Sequence, residues 1–193
     1  MIVLVRHGRT AANASGLLLG RADPELDAEG QLQAARLAEA LSGEQVARVV
    51  SSPLVRCRQT AAAVAGALGV PVEVDDRWIE LDYGELDGTA TASIPPETWA
   101  KWMADVAWAP PGGESLARLG ERVRVACDEL ARESDDVVVV SHVSPIKAAV
   151  AWALGVGDEV AWRLFLAPAS MTRIAASGSR RSLHAFNQTT HLA

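Results

Sequence analysis

The sequence has few features of secreted, membrane-bound or nucleic-acid-binding proteins. Its two cysteines, Cys57 and Cys127, lie far apart and lack metal-site spacing, which favours a reducing, cytoplasmic location. The first apolar run, residues 2–5, ends at Arg6, and no later run approaches the length of a membrane span. The net charge of −6 lacks the basic excess that nucleic acids and anionic membranes attract. We therefore expect a cytoplasmic protein that binds neither nucleic acid nor membrane.

Several catalytic motifs are also missing. The sequence has no Gly-x-x-x-x-Gly-Lys loop, no Gly-x-Ser-x-Gly elbow, and no Gly-x-Gly-x-x-Gly entering a helix after a strand. No paired histidines or carboxylate cluster suggests a metal centre. Neither cysteine has an arginine six residues later, so a cysteine-dependent phosphatase loop is absent. We expect a protein that uses neither a metal nor another cofactor.

The pattern of apolar residues predicts alternating strands and helices. The length of 193 residues suits one domain with a hydrophobic core and is too short for two. Short valine-rich runs are typical of strands, and longer amphipathic stretches between them are typical of helices. The predicted strands are residues 2–5, 46–51, 70–74 and 137–141, and the predicted helices are residues 29–41, 54–68 and 114–133. This order predicts a three-layer α/β sandwich with a mostly parallel central sheet and helices on both faces.

Glycines mark two further features near the end of the chain. Residues 170–176 and 182–186 flank Ser177-Gly178-Ser179-Arg180-Arg181, and we expect them to form a hairpin that closes one edge of the sheet. Gly155-x-Gly157 follows an apolar helix and predicts the C-terminal end of that helix.

Residues 89–113 depart from the alternation of strands and helices. They are rich in proline and tryptophan, and Pro95-Pro96 and Pro110-Pro111 bracket a short predicted helix. We expect a single domain over residues 1–193, with residues 89–113 forming a small insertion that covers one end of the sheet.

Two histidines follow predicted strands. His7 comes after residues 2–5, and His142 comes directly after residues 137–141. Ligands bind beyond the carboxyl ends of parallel strands, so the two imidazoles can face each other across one site. A lone histidine is more often structural. Two histidines at matching strand ends instead favour a catalytic site.

The neighbouring residues indicate a phosphate ligand. Arg6 supplies a rigid, permanently charged guanidinium that matches phosphate oxygens. Gly8 allows a sharp turn and a close approach of the backbone. Arg56 and Arg58 lie two residues apart at the start of a predicted helix, so only one of them can face the pocket. We interpret Arg58 as the solvated one.

Taken together, these motifs resemble the histidine phosphatase superfamily, which includes the phosphoglycerate mutases. The resemblance covers essentially the whole chain in the right order, and is carried by Arg6-His7-Gly8, Asn13, residues 20–30, residues 51–61, Glu80 with Gly84 and Gly88, Ser141-His142 and residues 187–192. A bare Arg-His-Gly is weakly specific, whereas this ordered set is specific. The implied fold is that of the phosphoglycerate mutases.

The resemblance implies a role for each matching residue. His7 is the expected nucleophile, which becomes a phosphohistidine, and Glu80 is the expected proton donor. The residues expected to bind the phosphoryl group or line its pocket are Arg6, Gly8, Asn13, Arg56, His142 and Val143. Elementary chemistry agrees, because histidine is partly neutral near physiological pH and arginines neutralise a transferring phosphoryl group. A carboxyl group can protonate the leaving alkoxide and then activate water.

The choice of Glu80 as the acid depends on its spacing from Gly84 and Gly88, which matches the family. Asp82 is the alternative, and the other nearby acids, Glu85 and Asp87, are interpreted as solvated loop residues.

One departure from the family pattern follows the second histidine. Many members carry glycines there, whereas this chain has Val143-Ser144-Pro145. Ser144 before Pro145 predicts a helix with Ser144 as its N-cap. The Val143 amide remains available to phosphate, so the departure concerns substrate shape more than catalysis.

Trp99 and Trp102 are three residues apart and would share one face of a short helix. They either pin residues 89–113 onto the domain by burying apolar area or, with Trp108, form a wall that contacts the organic part of the substrate.

The leading interpretation is a phosphatase that acts on a small phosphorylated metabolite. A phosphoglycerate mutase would instead return the phosphoryl group to another hydroxyl, but the mutases that the chain resembles are longer and carry a larger insertion. A catalytically silent module that binds a phosphorylated ligand is the third alternative. Sugar phosphates, phosphoglycerate derivatives and nucleoside-like phosphates such as α-ribazole phosphate are all open as substrates, and a homodimer is open as the assembly.

Overall fold

The computed structural model describes the whole chain, residues 1–193, as strands and helices joined by loops and short 3-10 turns. The strands are β1 (Ile2–Arg6), β2 (Arg48–Ser51), β3 (Val72–Val74), β4 (Val137–Ser141), β5 (Met171–Ser177) and β6 (Arg180–Gln188). The α-helices are α1 (Ala11–Ala14), α2 (Ala28–Leu41), α3 (Val55–Leu68), α4 (Pro96–Ala104), α5 (Leu116–Leu130) and α6 (Val143–Leu154).

The six strands form one sheet in the order β3-β2-β4-β1-β5-β6. β3, β2, β4 and β1 are parallel, whereas β5 runs antiparallel to β1, and β6 runs antiparallel to β5. The prediction of a mostly parallel sheet is confirmed, because three of its five strand pairs are parallel.

Helices cover both faces of the sheet at its central strands, β1, β2 and β4. Successive side chains of a strand point to opposite faces, so one strand can contribute to two cores. In β4, Val137 and Val139 pack with residues of α5 and α6, whereas Val138 and Val140 pack with residues of α2 and α3. A strand buried on both faces therefore has a continuous run of valines. The helices on both faces complete the predicted three-layer sandwich.

Side-chain caps and glycines define the ends of the long helices. Asp27 accepts a hydrogen bond from the Gly30 amide at the start of α2, at 2.8 Å. Gly69 and Gly155 end α3 and α6 with left-handed backbones, at φ 68° and 67°. Gly155 therefore ends its helix as predicted. None of the helices combines the length and the hydropathy that a membrane span requires.

The predicted start of α6 is wrong. Its N-cap is His142, which is extended at φ −122° and ψ −177°, and Val143 is already the first helical residue. Ser144 and Pro145 lie inside the first turn, where proline is tolerated because the first amides of a helix have no partner within it. The second histidine therefore stands directly at a helix N-terminus.

Two strands begin later than the sequence predicts, β2 at Arg48 and β3 at Val72. Val46 and Val70 are apolar because they pack from loops against the core under α2 and α3. The hairpin is also tighter than expected. Gly178, with φ 58°, and Ser179 form the turn, and the arginines that follow already belong to β6.

Residues 89–113 fold as a 3-10 turn over Thr91–Ser93, the helix α4 and connecting loops. Pro96 occupies the first position of α4, where its missing N–H is not needed. Trp102 is the buried residue of α4, with 1% of its surface exposed, and it joins the core shared by α5 and α6.

Candidate active site

The register of the sheet brings two histidines to one edge. β1 and β4 are parallel neighbours, with Arg6 opposite Ser141. His7 and His142 therefore leave the sheet side by side beyond its carboxyl edge. Their ring centroids are 5.1 Å apart, and the ring planes meet at 63°. Both side chains are buried, with 3% and 0% of their surface exposed.

The hydrogen bonding of His7 fixes its tautomer. Its Nδ1 lies 2.7 Å from the carbonyl oxygen of Gly8. A carbonyl can only accept, so Nδ1 carries the proton and Nε2 keeps a free lone pair. Burial lowers the pKa of His7 well below its ordinary value, and the charges of Arg6 and Arg56 lower it further. The ring is therefore neutral, with one nucleophilic nitrogen.

Gly8 lies where no larger residue fits. A Cβ atom built on Gly8 would lie 2.4 Å from the carbonyl oxygen of Gly30. The Gly8 amide donates to Thr60 Oγ1 at 3.1 Å, and the Thr60 hydroxyl in turn donates to the Arg56 carbonyl at 2.9 Å. The loop after β1 is thus held against both α2 and α3. Thr60 had no signal in the sequence that set it apart from any other buried helix residue.

His142 takes the opposite tautomer. Arg56 donates through Nε to His142 Nδ1 at 3.3 Å, so the ring proton is on Nε2, 2.7 Å from Ser52 Oγ. Burial lowers the pKa of His142 well below its ordinary value, and the charge of Arg56 lowers it further. Both ring nitrogens have partners within the chain, so contact with a phosphoryl group requires one of these bonds to be exchanged. Ser52 is a site residue that sequence reasoning missed.

The two arginines approach the histidines from different elements. Arg56, on α3, is fully buried, whereas Arg58, two residues later, is exposed. Arg6 donates through Nη1 to the Leu166 carbonyl at 2.7 Å, and its buried Nε has no partner in the chain. Burial lowers the pKa of Arg6 to about 10 and also lowers that of Arg56. Arg6 therefore stays charged at neutral pH, beside the neutral histidines.

Asp87 fixes the position of Arg56 through a loop. Its carboxylate accepts hydrogen bonds from the amides of Gly20, Arg21 and Ala22 at 2.8 to 2.9 Å. The carbonyls of Gly20 and Ala22 in turn accept from the Arg56 guanidinium at 2.8 and 2.7 Å. The interpretation of Asp87 as a solvated acid is therefore wrong.

Glu80 and Asp82 have different surroundings. Glu80 is 3% exposed, and its Oε1 accepts from the amides of Leu81 at 2.7 Å and Ser144 at 3.2 Å. Asp82 is half-buried and its carboxylate accepts from the Gly84 amide at 2.9 Å, which closes a local turn. Of the two acids, Glu80 is the one bonded to the helix that follows His142.

Asn13 is largely used in its own helix cap. Its Oδ1 accepts from both the backbone amide and the hydroxyl of Thr10, at 3.1 and 3.0 Å. The backbone amide of Asn13 donates back to the same hydroxyl. Only its Nδ2 group remains for a ligand. Val143 is half-buried, and its amide, as the first of α6, has no partner within the helix.

An apolar cavity of about 180 Å³ lies beside Val143 and Ser144. Trp99 and Trp102 line it and stack on each other with centroids 5.6 Å apart. Trp108 packs against Trp102 at 5.7 Å but does not line the cavity. Other lining residues had no signal in the sequence, among them Trp162 and Lys147. They are far from residues 89–113 in sequence, and only the fold brings them there.

The chain has no group of three or more histidine, cysteine, aspartate or glutamate side chains that could hold a metal ion.

Comparison with known proteins gives consistent matches. The family model of the histidine phosphatase superfamily (branch 1) matches residues 2–189. A bifunctional protein of Mycobacterium tuberculosis is 38% identical over 199 residues, which cover 99% of this chain but only 54% of that protein. The chain thus spans about half the length of that relative. Phosphoserine phosphatase 1 of Hydrogenobacter thermophilus is 34% identical, with 99% of this chain and 93% of that protein covered. The structure of a mycobacterial glucosyl-3-phosphoglycerate phosphatase in complex with VO3 has a TM-score of 0.89 and 32% identity, covering 97% of this chain and 98% of that one.

Proposed function

The chain belongs to the histidine phosphatase superfamily, and we propose on this basis that it hydrolyses a small phosphomonoester through a phosphohistidine on His7. The observation that carries the proposal is the tautomer of His7, whose Nδ1 donates to Gly8 and whose Nε2 is free. A neutral imidazole with one lone pair beside two arginines is the arrangement that an attack on phosphorus requires.

Charge around the site supports binding of a phosphoryl group. Arg6 and Arg56 are cations in buried surroundings, where hydrogen bonds to an anion are stronger than in water. The Val143 amide supplies a further donor, and His142 adds a ring N–H when its hydrogen bond to Ser52 is exchanged for one to the ligand. These groups neutralise the equatorial oxygens of the transferring group, which is the main contribution a protein makes to this reaction.

The reaction then takes two steps. In the first, His7 Nε2 attacks phosphorus, the bond to the substrate's alcohol oxygen breaks, and protonated Glu80 gives its proton to the departing alkoxide. In the second, the Glu80 carboxylate takes a proton from water, the resulting hydroxide attacks phosphorus, and the N–P bond breaks. Orthophosphate leaves and His7 is again neutral. Glu80 suits both steps because it is held beside Ser144, at the start of α6.

Partners and location follow from the same proposal. We expect the partner to be a small phosphorylated metabolite, because the cavity beside Val143 and Ser144 has a volume of only about 180 Å³ and the net charge of −6 opposes nucleic acids. The two cysteines are free and buried, which suits the reducing cytoplasm.

Release of phosphate from p-nitrophenyl phosphate in metal-free buffer tests the proposed function. We expect turnover that EDTA changes by less than about twofold, because no residues converge as metal ligands. Vanadate should inhibit by occupying the site of the phosphoryl group. Complete loss on chelation, restored by a divalent ion, would show that the reaction is metal-dependent. A silent binding module gives no phosphate, and a dedicated mutase gives very little but transfers phosphate between phosphoglycerate positions.

A second prediction concerns Trp99 and Trp102, the two tryptophans of α4. Trp102→Phe is expected to destabilise the protein by roughly 1–3 kcal/mol, because Trp102 is buried against Trp99, Trp108 and Trp162 and the smaller ring leaves a cavity. That lowers the melting temperature by about 2–4 °C per kcal/mol. Trp99→Phe is expected to raise KM for the best metabolite severalfold with little change in melting temperature, because Trp99 is half-buried and lines the cavity.

Trp108→Phe is the matched control for this pair, since Trp108 contacts Trp102 without lining the cavity. It should leave KM unchanged. Equal losses for the metabolite and for p-nitrophenyl phosphate in Trp99→Phe, with a lowered melting temperature, would mean that both tryptophans only pack residues 89–113 onto the domain.

A further inference from the structure

The backbone carbonyl of Glu80 is held by side chains and by no backbone amide. Glu80 lies between the 3-10 turns Asp76–Trp78 and Gly84–Leu86, outside any helix or strand, and no backbone amide donates to its carbonyl. Two guanidinium groups donate instead, Arg21 through Nε at 2.8 Å and Arg122 through Nη2 at 3.3 Å. Hydrogen bonds from ionised donors are stronger than neutral ones. The segment that carries the proposed acid is therefore fixed by two cations.

Arg122 also ties this segment to α5. Its Nη1 donates to the Arg77 carbonyl at 2.6 Å, three residues before Glu80. Its Nε and Nη2 form a bidentate pair with the Glu114 carboxylate, both at 2.9 Å. The Glu114 amide donates to the Asp82 carbonyl at 2.8 Å. Carbonyls on both sides of Glu80 are thus bonded to residues that lie in α5 or just before it.

Glu114 joins the two arginines into one network. Its carboxylate also lies 3.4 Å from Nη2 of Arg21. Burial alone would raise the pKa of Glu114, but the hydrogen bonds and charge of Arg122, and the charge of Arg21, hold that pKa below its ordinary value. The side chain of Glu114 is 14% exposed, against 18% for Arg122 and 36% for Arg21. Solvent therefore screens this network less than it screens an ion pair on the surface.

Arg21 also belongs to the segment that positions Arg56. The Asp87 carboxylate binds all three amides of residues 20–22. The first and last carbonyls of that segment accept from the Arg56 guanidinium. The side chain of Arg21, between them, donates to the Glu80 carbonyl. Three successive residues therefore contact both the cation proposed to bind the phosphoryl group and the acid proposed to protonate the leaving group.

A general acid must be placed accurately, because it transfers its proton only within hydrogen-bond distance of the leaving oxygen. The Glu80 carboxyl accepts from two backbone amides, that of Leu81 at 2.7 Å and that of Ser144 at 3.2 Å. Leu81 is the next residue and moves with Glu80. The backbone of Glu80 therefore has to be held from outside, and the two arginines do this.

We propose that residues 20–22 position both groups that act on the substrate, and that Arg21 is a positioning residue for Glu80. The inference rests on the proposed phosphatase function and adds a residue that affects protonation of the leaving group alone. Arg21 acts through the Glu80 carbonyl in this account and takes no part in binding the phosphoryl group.

Arg21→Met tests the role of Arg21 in the full chain. We expect kcat/KM for benzyl phosphate, whose alkoxide needs a proton, to fall about ten- to a hundredfold, as for an acid displaced by up to about 1 Å. For p-nitrophenyl phosphate, whose phenolate departs unprotonated, kcat/KM should fall by less than about threefold. Inhibition by vanadate should not change. Equal losses on the two substrates would overturn the proposal, since they would mean that Arg21 acts on the phosphoryl group or on the whole fold.

Combination with Glu80→Gln separates positioning from any other role. If Arg21 acts only through the acid, Arg21→Met should have almost no further effect on benzyl phosphate once the acid has been removed. Losses that multiply in the double variant would show that Arg21 contributes by another route, contrary to the proposal.

Arg124→Met is the matched control. Arg124 lies on α5 two residues after Arg122, its side chain is 38% exposed, and it pairs with the Asp158 carboxylate at 2.8 Å. The variant removes the same charge and one ion pair, and both substrates should react at wild-type rates. A selective loss here as well would refute the assignment to Arg21. Glu114→Gln removes the charge that the two arginines share and should reproduce the selective loss, which keeps the proposal testable even if Arg21→Met does not fold.

Asp87→Asn tests the other half of the proposal. The asparagine offers one acceptor oxygen where the carboxylate offers two, so residues 20–22 lose part of their support. We expect weaker inhibition by vanadate and a lower kcat/KM for both substrates, because Arg56 is displaced together with Arg21. Inhibition at the wild-type level would show that residues 20–22 do not position Arg56.

The substrate pair separates the two hypotheses. Hydrolysis of both substrates by the wild-type protein, with unselective losses in Arg21→Met, refutes the positioning role and leaves the phosphatase function standing. Failure of the wild-type protein to hydrolyse any phosphomonoester refutes the function and the positioning role with it.

Discussion

His7→Ala should lower kcat by more than about 10⁴-fold while the protein stays folded, because removal of a nucleophile eliminates the covalent route entirely. His7 lies beyond the end of β1, and the one hydrogen bond of its side chain is to the neighbouring Gly8 carbonyl. The sheet therefore loses no pairing when the ring is removed. Turnover of p-nitrophenyl phosphate and the melting temperature are the two measurements. His184→Ala is the matched control, since His184 is exposed on β6 and should behave as wild type.

The covalent intermediate itself gives the sharper test of His7. Wild-type protein mixed with ³²P-labelled substrate and quenched in alkaline denaturant should carry label that a brief acid treatment releases, as an N–P bond requires. His7→Ala should carry none, and His184→Ala should carry the wild-type amount. Label that survives acid, or that maps to a serine, would show that the nucleophile is a different residue.

The fold could be predicted from sequence because its signals are local. Runs of valine mark strands that are buried on both faces, and Gly155 ends a helix wherever the chain runs afterwards. Two histidines after two parallel strands must meet at one sheet edge, so their proximity needed no side-chain detail. The sequence predicted the start of α6 at Ser144-Pro145, because this pair is a good local start signal. The strand before it ends at Ser141, however, and the helix begins two residues before Pro145, at Val143.

The partners of the site residues could not be predicted in the same way. Arg56 sets the tautomer of His142, whose Nε2 then donates to Ser52, and Asp87 holds the loop whose carbonyls bind Arg56. Both effects depend on contacts between residues distant in sequence, and no local sequence pattern predicts these contacts. Lys147 is similar, because its position beside the tryptophans of the cavity is visible only when α6 is packed against residues 89–113. The sequence thus predicted the candidate site residues but not the hydrogen bonds that orient them.

Glu80→Gln should separate substrates by their leaving groups. The glutamine keeps the oxygen that accepts from the Leu81 and Ser144 amides, so the geometry of the site should survive. It has no proton to give to an alkoxide, and general acid catalysis is worth about 10²–10⁴-fold. We expect a loss of that order in kcat for benzyl phosphate, whose alkoxide needs protonation. With p-nitrophenyl phosphate, formation of the phosphohistidine should slow much less, because the phenolate departs unprotonated.

Asp82→Asn is the matched control, because Asp82 is the neighbouring acid and its carboxylate bonds the Gly84 amide within a local turn. It should lower both rates equally or not at all, since an asparagine oxygen can still accept from that amide. Burst kinetics with p-nitrophenyl phosphate complete the argument. If Glu80 also activates water, Glu80→Gln should release one equivalent of p-nitrophenol quickly and then turn over slowly, as phosphohistidine accumulates. Equal losses on both substrates in Glu80→Gln, together with leaving-group dependence in Asp82→Asn, would transfer the acid role to Asp82.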